Sequence, residues 1–283
     1  GTDTPYSIIQ TNDEGYLLSG VLDVSASNGQ GDRSSAERRH AGGDYWVIKL
    51  NASGIREWSN YYGGSFTDTA YDAIQTEDDG YIIVGSSDSD DVDISNANGG
   101  YDFWVIKISN TGALVWEKSF GGSEIDEARA ISQTSDGNYL IVGDTRSNDL
   151  NVSLNNGAAD LWALKISPNG TVLWEKTFGG SNFDVGRSIS KTQDNGFLIS
   201  GSSRSSDGNL TTNKGQNDAW LLKINSSGDL EWEKSIGGSE TDFFNDVVEL
   251  NNQTIVAVGD SSSSNGDISE KKGFTDLLIL KLK

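Results

Sequence analysis

Three acidic side chains, Asp90, Asp91 and Asp93, crowd into one short stretch, SDDVDISNANGGYD. Hard carboxylate oxygens at that spacing are the ligands Ca2+ takes. The same Asp, Asn and Ser types also build Asx-turns, in which a side-chain oxygen accepts a nearby backbone N–H and folds a loop onto itself. Both readings stand here. Three equivalent stretches, SNDLNVSLNNGAAD, SSDGNLTTNKGQND and SSNGDISEKKGFTD, keep the pattern with fewer acids.

A second set of carboxylates, Asp72, Asp246 and Glu249, breaks an otherwise regular pattern. Paired acids of this kind hydrolyse glycosidic bonds, one as acid and one as base or nucleophile. Serine triads need a histidine, and the chain has one, His40; it has no cysteine, so thiol catalysis, disulfides and His/Cys zinc sites fall away. His40 belongs to a basic group with Arg33, Arg38 and Arg39 in SNGQGDRSSAERRHAGGD. Arginine forks on a long polar loop suit an acidic partner surface; a plain solvated loop is the alternative.

The net charge of −21 excludes nucleic acid as a partner, because phosphates need a basic surface. Solubility and cation binding are the two readings of the acidity. No run approaches the roughly 18 apolar residues of a membrane span. The absence of Met points to an N-terminus that was processed or lies outside this sequence.

The elements that must position these groups recur. LVWEKSFGGS, from Leu114, returns as VLWEKTFGGS, as LEWEKSIGGS and, degenerately, as REWSNYYGGS. The aspartates that open the repeats are Asp3, Asp68, Asp126, Asp184 and Asp242, at steps of 65, 58, 58 and 58. Each repeat holds four β-branched and aromatic runs separated by Gly, Asn, Asp and Ser, with no helical period. Polar turns such as Thr76-Glu77-Asp78-Asp79-Gly80 join them as hairpins. Four antiparallel strands per repeat make a propeller blade. The third run is apolar on both faces, as in DFWVIKI, which fits a blade sandwiched between neighbours.

The expectation is an all-β, five-bladed β-propeller of four-stranded antiparallel blades, a single domain over 1–283. Its repeats are about 1–65, 66–123, 124–181, 182–239 and 240–283. The fifth repeat ends after its third strand, so residues upstream of Gly1 are expected to complete the last blade. All eight tryptophans fall in two slots: Trp46, Trp104, Trp162 and Trp220 on the third strand, and Trp58, Trp116, Trp174 and Trp232 on the fourth. Regular slots read as packing between blades, against a sugar or cation site. Lys49, Lys107, Lys165, Lys223 and Lys281 share another slot, which reads as pairing with a repeat aspartate, against a fivefold anion site. Asp72, Asp246 and Glu249 lie on first strands, which line a propeller's channel.

The pattern GGSxxDxAxxIxQTxDGxYLIVGxxxS(N/D)D, followed by DxWxxKIxxxGxxxWEKxFGGS, resembles the WEK/GGS-type β-propeller repeats of the Bacteroidetes cell envelope. The resemblance covers essentially the whole chain. It implies a surface or secreted location and no enzymatic activity. Cargo of that phylum's type IX secretion system carries a C-terminal sorting domain; this chain ends inside a blade, so a surface lipoprotein acylated upstream is the expectation. Asp68-Thr69-Ala70 also resembles the phylum's O-glycosylation site, with Thr69 as acceptor.

The function expected is a non-enzymatic binding or scaffold propeller, an envelope-anchored accessory subunit of an outer-membrane protein complex. No cofactor is expected beyond Ca2+. A lectin-like propeller with equivalent glycan sites between blades is the alternative. A glycoside hydrolase is the third reading, disfavoured because repeats 2 to 4 are nearly interchangeable.

Overall fold

In the computed structural model the structure describes residues 3–23 and 42–283. Arg33, Arg38, Arg39 and His40 lie outside the described residues. All the regular structure described is β. The first repeat gives β1 (Thr4–Gln10), β2 (Tyr16–Asp23), β3 (Gly43–Leu50) and β4 (Arg56–Tyr62). The second gives β5 (Asp68–Gln75), β6 (Tyr81–Ser87), β7 (Asp102–Ile108) and β8 (Leu114–Phe120). The third gives β9 (Asp126–Gln133), β10 (Tyr139–Thr145), β11 (Asp160–Ile166) and β12 (Val172–Phe178). The fourth gives β13 (Asp184–Lys191), β14 (Phe197–Ser203), β15 (Asp218–Ile224) and β16 (Leu230–Ile236). The last gives β17 (Asp242–Glu249), β18 (Ile255–Ser261) and β19 (Asp276–Leu282).

Each repeat forms its own sheet, with strands in chain order, so the first strand lies at one edge and the fourth at the other. Four sheets have four strands; the last, β17-β18-β19, has three, as the missing WEK run predicts. The chain divides into two compact units, Gly1–Ala130 and Ile131–Lys283, with the boundary inside β9.

The hairpins form where the sequence puts turn chemistry. Thr76 N–H donates to Gly80 O at 2.9 Å, and Asp79 takes the left-handed φ of 61° that such a loop demands. On the following hairpin Gly112 supplies a φ of 77°.

The core lies on the two faces of the third strands. On β7, Phe103 and Val105 face one way and Trp104, Ile106 and Ile108 the other, and all five are fully buried. Two adjacent sheets of the first unit meet where the Tyr45 hydroxyl donates to Trp104 O at 2.7 Å, with ring centroids 4.5 Å apart. β11 and β15 are buried along their whole length. The outer face of β19 is different: Leu277 and Ile279 are 74% and 60% exposed, whereas Leu161 and Ala163 in the same slots are at 0%.

Candidate functional site

The edge formed by the first strands is shaped by a bulge. Pairing slips one residue between Ala70 and Asp72, between Gly186 and Ser188, and between Phe244 and Asp246. A bulge re-aims the extra side chain. The second strand answers with a glycine: a Cβ on Gly85, Gly201 or Gly259 would lie 1.9, 1.9 or 1.8 Å from the carbonyl oxygen of Thr69, Val185 or Phe243. The bulged residues contact one another from sheet to sheet. In the first unit Tyr6 packs on Tyr71 at 4.9 Å, and the Arg129 guanidinium lies 4.4 Å from the Tyr71 ring centroid. In the second, Arg187 donates to Asn245 Oδ1 at 2.7 Å and lies over Phe243.

The first-strand acids are engaged at the same edge. Asp72 Oδ1 accepts the Ser7 hydroxyl at 2.9 Å, and Asp246 Oδ1 accepts that of Ser188 at 2.6 Å. Glu249 accepts the Gln193 N–H at 2.7 Å. Thr69 sits half-buried in β5, opposite Ser86.

The acidic loop behaves as a clasp. Asp91 Oδ1 accepts the Ser65 N–H at 2.9 Å and Asp93 Oδ2 that of Gly63 at 3.2 Å, while Asp90 is exposed. Asp207 and Asn209 hold Ser181 and Gly179 in the same way, and Asn265 and Asp267 hold Ser239 and Gly237. Asn and Asp interchange in these posts, so the post needs an acceptor oxygen and no charge. Each loop therefore binds the GGS turn of its own repeat junction. Among the described residues no three His, Cys, Asp or Glu side chains gather to hold a metal ion.

Two clefts open at equivalent places, one in each unit. The first, about 540 Å³, is lined by Asp13, Lys49, Trp58, Gln75, Asp79 and Thr111 among others. The second, about 580 Å³, is lined by Asp136, Lys165, Trp174, Asn195, Phe197 and Ser227 among others. Lys49, 3% exposed, bonds Asp13 at 2.8 Å and Glu57 at 3.0 Å. Its hydrogen bond, with that of Thr11, holds the Asp13 carboxyl down at about 2. Burial works against the Lys49 charge, but its two carboxylate partners outweigh it and raise its pKa. The same pairing joins Lys107 to Asp78, Lys165 to Asp136 and Lys223 to Asp194. The lysine slot is thus an ion pair in four repeats; in the fifth, Lys281 has Asn252 at the aspartate position. Trp58 is half-buried; its indole N–H donates to Asn110 O at 3.0 Å, and the turn at Gly112 packs on its ring. Of the third-strand tryptophans, Trp104, Trp162 and Trp220 are wholly buried but Trp46 is half-buried, and the fourth-strand ones are half-buried at a sheet edge. Sequence periodicity did not separate these two environments. Nor did it reveal the bulge, whose only sequence signal is the recurring glycine that ends GYLLSG, GYIIVG and GFLISG.

No protein-family profile matches the chain, and no curated protein matches it. Solved structures do. The WD40 domain of Neurospora crassa Pan2 aligns at 14% identity and a TM-score of 0.56, over 99% of this chain and 63% of that one. A protein of unknown function from Dyadobacter fermentans aligns at 12% identity and a TM-score of 0.53, over 90% of this chain and 75% of that one. Another of unknown function, from Bacteroides caccae, aligns at 11% and 0.46, over 90% and 70%. At these identities the likeness speaks to fold alone: repeated four-stranded antiparallel sheets of the kind that WD40 domains contain.

Proposed function

We propose that the five sheets are the blades of a five-bladed β-propeller that binds and does not catalyse, an envelope-associated scaffold subunit of an outer-membrane protein complex. One observation carries the non-catalytic reading. The carboxylates that would do chemistry, Asp72, Asp246 and Glu249, are each engaged in hydrogen bonds that tie sheet to sheet. The repeat period and the WD40 likeness support the blade architecture. The envelope location rests on the WEK/GGS resemblance, and the partner surface on the one irregular segment, with Arg33, Arg38, Arg39 and His40. Affinity purification from native membranes tests this reading. The intact protein is expected to bring down a defined complex, and a variant lacking the seven residues 33–39 to lose it. Equal recovery by both forms would remove the segment from the interface.

A second reading is favoured by the two equivalent clefts, each pairing a half-buried indole with hydrogen-bonding side chains. In it the protein is a lectin and each cleft a saccharide subsite. Titration of the glycans retained on an array would give more than one site per chain, and Thr111→Trp, which fills the mouth of the first cleft, would remove one of them.

A further inference from the structure

The chain buries two aspartates against one glycine four times over. Asp44 and Asp68 flank Gly63, Asp102 and Asp126 flank Gly121, Asp160 and Asp184 flank Gly179, and Asp218 and Asp242 flank Gly237. All eight carboxylates are at most 1% exposed. At Gly179 a Cβ would lie 2.4 Å from Asp160 Oδ1 and 2.8 Å from Asp184 Oδ2; at Gly121 it would lie 2.3 Å from Asp102 Oδ1 and 2.5 Å from Asp126 Oδ2. The two carboxylates therefore face each other across a residue that has no side chain to separate them.

The partners of each pair are supplied unequally. Asp184 accepts the Gly180 N–H at 2.7 Å, the Ser205 hydroxyl at 2.6 Å and the Ser203 hydroxyl. Asp242 accepts the Gly238 N–H at 2.9 Å, the Ser263 hydroxyl at 2.8 Å and the Ser261 hydroxyl. These first-strand aspartates sit in nests built for an anion. The third-strand aspartates are half supplied. Asp160 Oδ2 accepts two donors from Asn156, and Asp218 Oδ2 accepts the Lys214 N–H. Oδ1 of Asp102, Asp160 and Asp218 has no hydrogen-bond partner among the described residues. Two buried like charges this close do not both ionise.

We propose that each of the pairs Asp102–Asp126, Asp160–Asp184 and Asp218–Asp242 binds one proton and keeps it well above the pH at which an exposed carboxyl ionises, on the third-strand residue, with the first-strand residue as the anion. Uptake takes one proton from water and changes the charge of a pair from minus two to minus one. The neutral acid then turns its orphan oxygen into a donor toward the facing carboxylate. This goes beyond the binding reading and does not depend on it.

The electrostatics agree. Burial pushes the Asp102 and Asp160 carboxyls up to about 6 against their donors, and the charges of Asp126 and Asp184 add to the rise. Burial also raises Asp218; there Asp242 and Asp267 push up while Lys214 pulls down. Asp207 stands beside Gly180, next to the Asp160–Asp184 pair. The pair Asp44–Asp68 is loaded the other way: burial drives the first-strand Asp68 up to about 7, with Asp44 contributing. A carboxyl whose folded pKa exceeds its unfolded value of about 3.9 binds protons on folding. Its stabilisation is complete below that unfolded value and is lost as pH rises through about 6. The lysine-bound Asp13 and Asp78, held at about 2, act in the opposite sense, but only as pH falls below about 4.

Thermal melts at pH 5 and pH 8 test the proposal on wild type, Asp160→Asn and Asp102→Asn. An amide is the permanent mimic of the protonated acid. Wild type is expected to melt lower at pH 8 than at pH 5. Each Asn variant is expected to raise Tm at pH 8 by about 2–4 °C and by clearly less at pH 5. Comparing variant with wild type at each pH cancels the titrating groups that the two share. A loss of Tm that is equal at both pH values would overturn the proposal. Infrared spectra of folded wild type supply a second readout: the carbonyl stretch of a buried neutral carboxyl group at pH 5, weakened in Asp160→Asn. Its absence from wild type would overturn the proposal as well.

Discussion

Trp162 is enclosed on β11, and its indole N–H reaches Glu175 Oε2 at 2.9 Å. Truncation leaves both a cavity and a half-buried acceptor without its donor. Trp162→Ala is expected to cost about 3–5 kcal/mol in a denaturant melt; a change below about 0.5 kcal/mol would be surface-like and would reopen a ligand role for the slot. This burial was legible in DLWALKI, because its four consecutive apolar residues, Leu161 to Leu164, leave no face to give to water. The environment of Trp174 was not legible, because a sheet's outer strand is covered on one side only and its sequence, VLWEKTF, mixes charge with aromatic residues. The acidic loop shows another limit. Its residue types fit a cation and a clasp equally well, and only the posts shared by Asp207, Asn209, Asn265 and Asp267 show what the pattern holds.

At the scale of the strand, the recurring glycine of the second run carries the geometry of the whole edge. Gly201 lies across from the bulge at Gly186 and Ser188, where the Val185 carbonyl leaves no room for a Cβ. Gly137 is a useful contrast: its φ of 76° is left-handed, but nothing lies within 4 Å of its Cβ position. Gly137→Ala is expected to cost about 1–2 kcal/mol, the backbone penalty alone. Gly201→Ala must displace backbone and is expected to cost clearly more, read as the difference between two unfolding midpoints measured side by side. Equal costs would show that β13 slides to accommodate the methyl group. Strand positions, hairpin turns and strand order within each repeat were all readable from period and turn residues. The bulge was not, since it is a property of register between two strands, and register is invisible along one of them. The aspartate pairs escaped for a related reason: Asp160 and Asp184 belong to different repeats and meet only when two sheets stack on Gly179.

At the scale of the molecule, the repeat predicts its own defect. Four sheets carry a WEK strand on the outer edge of the third strand, and the sheet β17-β18-β19 does not. The outer backbone edge of β19 is therefore the template that β7, β11 and β15 use to bind β8, β12 and β16. That edge is unpaired among the described residues, and an unpaired edge with alternating Leu and Ile recruits another strand. A peptide with the sequence of β16, LEWEKSI, extended through its GGS, is expected to bind there in trans. Binding to the folded state alone raises stability by mass action, by about 2.7 kcal/mol when the peptide is at a hundredfold its Kd. The expected result is a saturable rise in Tm for the peptide and none for a scrambled version, with hydrogen-exchange protection appearing at amides of Leu277–Lys281. If millimolar peptide leaves both Tm and exchange unchanged, the edge of β19 is already paired in solution, and the strand that pairs it should be sought by crosslinking from Ile279.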